Sequence, residues 1–282
     1  MVISTLKETH DMTTASQTPC VPHKTIRTVA GFQNEFGGLH NFLLAGECVP
    51  FRYTFPSIET LVDVIRHDDD ARIRTYGRDD VKDAAGRDEF RRMPIEKLME
   101  TPFSLAHFKL ARFCGAGKLL EGFEAGVMEP WRAFLTRAGF TFERCYPIFF
   151  ISGPHGATEY HMDCSHVLAY QLYGTKIFSG LKDPDHFSPI EDSVQKSYRD
   201  KLAKPELADD EVLAYTMKPG DALWNQLLTP HWVNAGDDKV AASLNLSHGM
   251  LRYQGRLTRN EQRLDEWWNI HPDEAWREKP KS

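Results

Sequence analysis

The spacing of apolar residues changes near residue 144, and this change divides the chain into regions of different structure. Residues 1–25 are polar and predict a flexible segment, whereas residues 26–144 carry mainly helical patterns. From 145 to 250 the apolar residues form short segments of strand length, and a helical pattern returns in 251–282. We therefore expect a β core, an N-terminal helical and mixed region packed on it, and a C-terminal helical cap.

Two helical stretches are predicted before the β core. Ser57 stands at an N-cap position, and apolar residues at helical spacing within 58–65 define one buried face. A second stretch covers 118–138, where Pro130 interrupts or restarts the helix and Gly139 closes it. This second stretch is expected to form two helices or one kinked helix.

Eight short segments rich in aromatic and β-branched residues predict the strands of a barrel or sandwich. They lie at 145–152, 158–163, 167–173, 175–181, 212–217, 222–225, 232–234 and 240–247. The polar stretch 183–210 is expected to be a partly helical insertion between them. Thr258 and Glu261 form a capping box for a C-terminal helix, whose adjacent Trp267 and Trp268 either cover the barrel or make a subunit contact.

The composition is that of an ordinary globular protein, with 41% hydrophobic and 26% charged residues in 282. A formal net charge of −6 argues against a nucleic-acid partner. The chain shows neither an apolar run that could span a bilayer nor a signal peptide, so we expect a cytoplasmic protein without a membrane partner. The five cysteines are scattered and lack a CxxC pair, which indicates reduced thiols rather than disulfides or a thiolate zinc site.

His161 and Asp163 are the first candidate metal ligands. Side chains two residues apart in a strand point to the same face, so this His-x-Asp pair could hold one metal. The motif alone is weak, because chance gives about 1.7 His-x-Asp/Glu matches in this composition and the sequence contains three. The other two, at 67–69 and 271–273, fall in an acidic run and in a proline-containing segment, which indicates solvated surface.

A third ligand is available at His231, at the start of a short apolar segment. Two imidazoles and a carboxylate on one side of a metal leave neighbouring positions free, which is the facial triad of non-haem iron(II) oxygenases. Two alternatives remain: the histidines are hydrogen-bonded core residues, or nearby side chains complete a closed zinc site. The side chains considered for such a zinc site are His155, Glu159 and His166.

Further residues around these ligands carry a family resemblance. The motifs are TEYHMD at 158–163, YGTKIF at 173–178, KPGDALW at 218–224, HWV at 231–233 and SLNLS at 243–247. Together they resemble the JmjC-type (cupin-like) Fe(II)/2-oxoglutarate-dependent oxygenases over residues 145–248. In the hydroxylases of that family a threonine lies three residues before the first ligand and a lysine fifteen after it, and Thr158 and Lys176 match both positions.

The resemblance implies a double-stranded β-helix of eight strands with a jelly-roll, cupin-like topology. It also implies an iron centre formed by His161, Asp163 and His231, which uses 2-oxoglutarate as co-substrate together with O2. The implied reaction is hydroxylation of an unactivated C–H bond, with release of succinate and CO2. Because Asp163 is a carboxylate where a halogenase has a small residue, hydroxylation is favoured over halogenation; desaturation and ring formation stay open as alternatives.

The resemblance further implies that Lys176 and Thr158 hold the distal carboxylate of 2-oxoglutarate. A cation and a hydroxyl donor are the groups that such a carboxylate requires. Strict strand alternation would place Thr158 and His161 on opposite faces, so this role assumes a bend or bulge between them. Asn245 is a candidate for an inward residue beside the iron or the co-substrate; the alternative is an outward-facing polar row with Ser243 and Ser247.

The expected substrate is a small molecule, such as an amino acid, a sugar or a natural-product scaffold. This expectation rests on two segments, the polar stretch 183–210 and the aromatic stretch 32–55 that contains Arg52. Both are expected to flank the mouth of the barrel and to close over the substrate. One alternative is a protein or peptide hydroxylase or demethylase, which an open groove would favour. Another is a non-catalytic metal-binding cupin. A homodimer through the helix that carries Trp267 and Trp268 is a further hypothesis.

Overall fold

A computed structural model describes residues 24–38, 40–75, 84–196, 202–236 and 239–274. The predicted flexible segment at 1–25 lies almost wholly outside these residues. Among the described residues, no helix combines the length and the apolar character that a membrane span requires. The four described cysteines are free thiols, as expected.

The described elements are fifteen strands and eight α-helices. The strands are β1 Thr25–Ile26, β2 Phe42–Leu44, β3 Arg72–Thr75, β4 Phe103–His107, β5 Phe140–Thr141, β6 Arg144–Ser152, β7 Ala157–His161, β8 His166–Tyr173, β9 Lys176–Leu181, β10 Val212–Met217, β11 Ala222–Asn225, β12 His231–Ala235, β13 Ala241–Gly249, β14 Arg252–Tyr253 and β15 Arg256–Leu257. The helices are α1 Val29–Glu35, α2 Ile58–Arg66, α3 Ala84–Arg92, α4 Ile95–Met99, α5 Glu129–Arg137, α6 Pro184–Phe187, α7 Ile190–Lys196 and α8 Arg259–Ile270.

Strands β6 to β13 form the predicted double-stranded β-helix. The neighbours β11-β8-β13-β6 lie within one sheet, and β10-β9-β12-β7 form the second. All pairs within these two groups are antiparallel. All eight strands predicted from the sequence are present, although β7 ends at His161, so Asp163 lies just beyond the strand and not within it.

The N-terminal region extends the larger sheet at both edges. Strands β1 and β2 join beyond β11, and β4 and β3 join beyond β6. The outer face of this sheet is covered by helices and aromatic residues, including Phe32, which is fully buried against Trp224 and Phe134. The buried aromatic residues of 32–55 belong to the main hydrophobic core. For these residues the prediction that the segment flanks the mouth of the barrel is wrong.

The two helical predictions before the β core are confirmed in outline. Helix α2 begins after Ser57, whose hydroxyl oxygen accepts a hydrogen bond from the backbone N–H of Thr60. In the second stretch a π-helical turn at Glu124–Met128 leads into α5, whose second residue is Pro130. Gly139 follows with φ of +84°, the left-handed conformation that favours glycine.

The C-terminal helix and the insertion pack together beside the barrel. Thr258 caps α8 by accepting from the backbone N–H of Glu261, while the Glu261 carboxylate accepts from the backbone N–H of Leu251, so the capping box is only half formed. The insertion contains α6 and α7, as expected. Trp268 is only 3% exposed and packs against α7 of the same chain, so it covers part of the fold. The homodimer stays a prediction.

Candidate metal centre

Three side chains from two strands and one loop meet at one point of the barrel. His161 ends β7, His231 begins β12 directly opposite it, and Asp163 lies in the loop after β7. One donor atom from each side chain lies within 4.8 Å of the others. Asp163 Oδ1 lies 3.9 Å from His161 Nε2, and its Oδ2 lies 3.6 Å from His231 Nε2.

These separations suit one metal ion. Two donors about 2.1 Å from a metal stand about 3 Å apart when adjacent and about 4.2 Å apart when opposite in an octahedron. The donors of a facial set are all adjacent, and the separations of 3.6 and 3.9 Å lie within about 1 Å of the adjacent value. The donor set of two imidazoles and one carboxylate is that of the facial triad, and it leaves the remaining coordination positions to other ligands.

Backbone hydrogen bonds fix both imidazoles in the orientation that a metal requires. His161 Nδ1 donates to the carbonyl of Glu159 at 2.7 Å, and His231 Nδ1 donates to the carbonyl of Thr229 at 3.0 Å. With the proton on Nδ1, each Nε2 presents its lone pair to the shared point. Burial, reinforced by the neighbouring His161, lowers the pKa of His231 to about 4, so this ring is neutral at pH 7.

A β-bulge in β7 brings Thr158 to the face of His161. Opposite β12, His231 pairs with His161 and Val233 pairs with Thr158. Two residues lie between Thr158 and His161 in β7, whereas only one lies between His231 and Val233 in β12. Strand β7 therefore contains one extra residue at this point. The bend that the proposed role of Thr158 requires is therefore present.

Lys176 lies inside the barrel at the start of β9. Its side chain is only 5% exposed, and its Nζ donates to the carbonyl of Phe150 at 2.9 Å and to Ser243 Oγ at 3.1 Å. An ammonium group has three donors, so one remains for a ligand. Burial lowers the pKa of Lys176 to about 7, because the charged form loses its hydration without gaining a counter-charge.

Asn245 lies on the inward face of β13. Ser243, two residues before it, contacts Lys176 in the barrel, whereas Leu244 and Leu246 point into the main core on the other side of the sheet. The alternative of an outward polar row is therefore wrong. The side-chain oxygens of Asn245 and Asn225 are buried without a hydrogen-bond partner among the described residues, so each has capacity for a donor from water or a ligand.

Sequence reasoning missed two neighbours of His231. The Phe178 ring stacks on the imidazole with centroids 4.9 Å apart and an interplanar angle of 9°. The Asn225 amide nitrogen lies 3.4 Å from His231 Nδ1. The inward positions of β9 and β11 could have indicated both residues, but only after the pairing of these strands with their neighbours was known.

The side chains considered for a closed zinc site do not join the triad. Among the described residues, the group that could hold a metal consists of His161, Asp163 and His231 alone. His155 and Glu159 are exposed. His166 is buried elsewhere, where its Nδ1 accepts from the backbone N–H of Leu227.

An eight-stranded double-stranded β-helix with a two-histidine, one-carboxylate group inside it defines the cupin-like class of folds. The fold that the sequence resemblance implied is thus confirmed. Comparisons of the sequence with protein-family models and with curated proteins find no match.

Solved structures of YcfD from Escherichia coli are among those similar to this chain. An X-ray structure of YcfD has a TM-score of 0.50 and 15% sequence identity, and the match covers 95% of this chain and 62% of that one. A structure described as the ribosomal oxygenase YcfD gives 0.45 and 15%, covering 82% and 53%. Its complex with cobalt and 2-oxoglutarate gives 0.44 and 14%, with the same coverage. The chain therefore spans between 53% and 62% of the length of these structures.

Proposed function

We propose that the protein is an Fe(II)- and 2-oxoglutarate-dependent oxygenase that hydroxylates an unactivated C–H bond. The observation that carries this proposal is the convergence of His161, Asp163 and His231 on one point, with the Nδ1 atom of each imidazole bonded to a backbone carbonyl. The shared fold of YcfD, which is described as a ribosomal oxygenase, is consistent with this class.

The three side chains provide a site suited to iron. When bound, Fe(II) together with 2-oxoglutarate and O2 supplies the oxidising chemistry, in which 2-oxoglutarate becomes succinate and CO2 and the substrate gains an oxygen atom. Two neutral imidazoles and one carboxylate place a single negative charge beside the dication, so the site retains a net positive charge that attracts an anionic co-substrate. The backbone bonds to both Nδ1 atoms hold the rings in place before any ligand arrives.

We assign the binding of the co-substrate to Lys176, Thr158 and Asn245. The third donor of the Lys176 ammonium group and the hydroxyl of Thr158 would bind the distal carboxylate of 2-oxoglutarate. The buried oxygen of Asn245, which accepts from no described residue, would receive a hydrogen bond from ordered water beside it. A carboxylate next to Lys176 would also restore the charged form of the lysine, because it supplies the missing counter-charge.

The substrate expected from the sequence is a small molecule. The insertion contacts the segment that carries two of the metal ligands: Ser188 Oγ lies 3.6 Å from the sulfur of Met162, the residue between His161 and Asp163. The small-molecule substrate therefore stays a hypothesis drawn from the sequence.

A polypeptide side chain is the second candidate substrate, and two observations favour it. His161 and Asp163 have side chains that are 36% and 34% exposed, so the described part of the site is open. Strands β4 and β3 also extend the larger sheet past β6. On the barrel-side face of this extension, the guanidinium of Arg72 lies over the ring of Phe108, and that ring contacts Phe150 of β6. An open face continuous with the site suits an extended ligand.

Succinate formation tests the enzyme class. Purified protein is supplied with Fe(II) and 2-oxoglutarate, and succinate is measured with and without pools of metabolites or peptides. We expect turnover that depends on both additions, loss of turnover in His161→Ala and Asp163→Ala, and retention in the matched control Glu159→Ala, which removes an exposed carboxylate next to the site. Metal binding without succinate formation from any pool would instead identify a non-catalytic cupin.

The same pools distinguish the two substrate classes. A product heavier by 16 mass units in the metabolite pool supports the small-molecule substrate. The same mass change on a peptide supports a polypeptide substrate.

A further inference from the structure

The loop 226–230, which joins β11 to β12, touches two of the three metal ligands through its backbone. The N–H of Leu228 donates to the carbonyl of Asp163 at 2.9 Å. The carbonyl of Thr229 accepts from His231 Nδ1 at 3.0 Å. The loop therefore helps to hold the backbone of Asp163 and the orientation of the His231 ring.

The loop has a conformation that its own sequence does not favour. Leu228 has φ of +57°, in the left-handed region that residues with a Cβ rarely adopt. Such a conformation is unfavourable for a residue with a Cβ and persists only where surrounding contacts impose it. Contacts outside the loop must therefore hold it.

The first turn of α8 supplies polar contacts of this kind. Asn260 Nδ2 donates to the carbonyl of Leu227 at 3.0 Å. The N–H of Leu227 donates to His166 Nδ1 at 3.2 Å, and Nε2 of the same ring lies 3.4 Å from Glu261 Oε2. His166 and Glu261 are 1% and 2% exposed. Side chains on α8, or in contact with it, thus engage both backbone groups of Leu227.

Apolar contacts complete this attachment. Leu227 and Leu228 are buried in a small cluster, separate from the main core, which joins the loop to α8 and α7. The helical members of the cluster are Leu264, Trp268, Ile190 and Val194. Trp268 of α8 therefore belongs to the same cluster as the loop.

We propose that α8 is a positioning element for the metal centre, and that Asn260 is a positioning residue which acts through loop 226–230 on Asp163 and His231. This inference rests on the proposed function only in requiring that the triad binds a divalent metal. Outer contacts of this type typically change metal affinity 10- to 100-fold when they are removed.

Cobalt(II) binding tests the proposal without turnover. Asn260→Asp has nearly the same shape but loses the donor to Leu227, and a carboxylate in the first turn of α8 favours the helix, so the fold is retained. Asn260→Gln keeps an amide donor on a longer side chain. Asn269→Asp makes the same amide-to-carboxylate change near the other end of α8, where a negative charge disfavours the helix. It therefore controls for any effect of reduced helix stability on metal binding. For each protein, calorimetry gives the Co²⁺ dissociation constant, and the visible absorption bands report the coordination geometry.

We expect Asn260→Asp to bind Co²⁺ 10- to 100-fold more weakly than the wild type, with altered absorption bands. Asn260→Gln should recover part of the loss, and Asn269→Asp should match the wild type. Wild-type affinity and spectrum in Asn260→Asp, or an equal loss in Asn269→Asp, would overturn the positioning role while leaving the proposed function intact. A wild-type protein that binds no Co²⁺ would overturn both.

Discussion

Lys176 is buried in the barrel, and burial alone lowers the pKa of its ammonium group to about 7. In the unfolded chain a lysine titrates near its ordinary pKa of about 10.4. Between these two values the unfolded state binds more protons than the folded state, so the free energy of unfolding must rise with pH. We predict that replacement of Lys176 by methionine removes this dependence.

The size of the effect follows from the two pKa values. With a pKa of about 7 for Lys176 in the folded state, the free energy of unfolding of the wild type should rise between pH 6 and pH 9 by roughly 2–3 kcal/mol more than that of Lys176→Met. The hydrogen bonds that Lys176 donates to Phe150 and Ser243 contribute a separate offset. This offset is nearly constant with pH while the amine is a donor in both protonation states, so the change with pH is the informative quantity.

Urea unfolding of the metal-free proteins at pH 6, 7.5 and 9 measures this quantity. The difference between wild type and Lys176→Met is taken at each pH, so titrations common to both proteins cancel. Lys182→Met, which removes an exposed lysine just beyond β9, is the control for loss of a positive charge. A wild-type minus Lys176→Met difference that stays constant within about 0.5 kcal/mol across this range would refute the assignment of a desolvated lysine.

Three further changes have defined outcomes. Trp131→Phe removes the indole donor to His248 Nε2, a buried 2.7 Å hydrogen bond, and should lower the free energy of unfolding by about 1–3 kcal/mol in urea titrations; an unchanged value would contradict this. Gly174→Ala should lower the melting temperature, because Gly174 has φ of +61° and an added Cβ would stand 2.6 Å from the carbonyl of Val240. Addition of Co²⁺ should raise the melting temperature of the wild type but not of Asp163→Ala; equal shifts in the two proteins would place the metal elsewhere.

The strands of the barrel could be predicted because each one carries its own signal. Apolar and aromatic residues of strand length, bounded by turn residues, are visible within a few positions of the chain. His161 and Asp163 could be found for the same reason, since their spacing is local. The predicted position of Asp163 within a strand was wrong, because the strand ends at His161 once its partner β12 begins at His231.

Features that depend on the pairing of distant segments could not be predicted in this way. The bulge that turns Thr158 inward exists only in the register of β7 against β12. The short strands β3 and β4 became visible only as extensions of the larger sheet beyond β6, where they are stabilised by a neighbour remote in sequence. The aromatic residues of 32–55 resembled a lid in the sequence, whereas in the fold they cover the outer face of that sheet.

Leu228 shows most clearly why a site needs more than its ligands. A leucine in a short loop predicts no left-handed backbone, and nothing near it in the sequence explains one. Its conformation follows from α8, whose first turn lies about thirty residues further along the chain. This turn bonds to the loop directly through Asn260, and its Glu261 faces the His166 ring that accepts from Leu227. Because Asp163 and His231 each bond to the same loop, the geometry at the metal depends on a helix that contributes no ligand. Sequence motifs can therefore identify the donors of such a centre, while their orientation is a property of the packed fold.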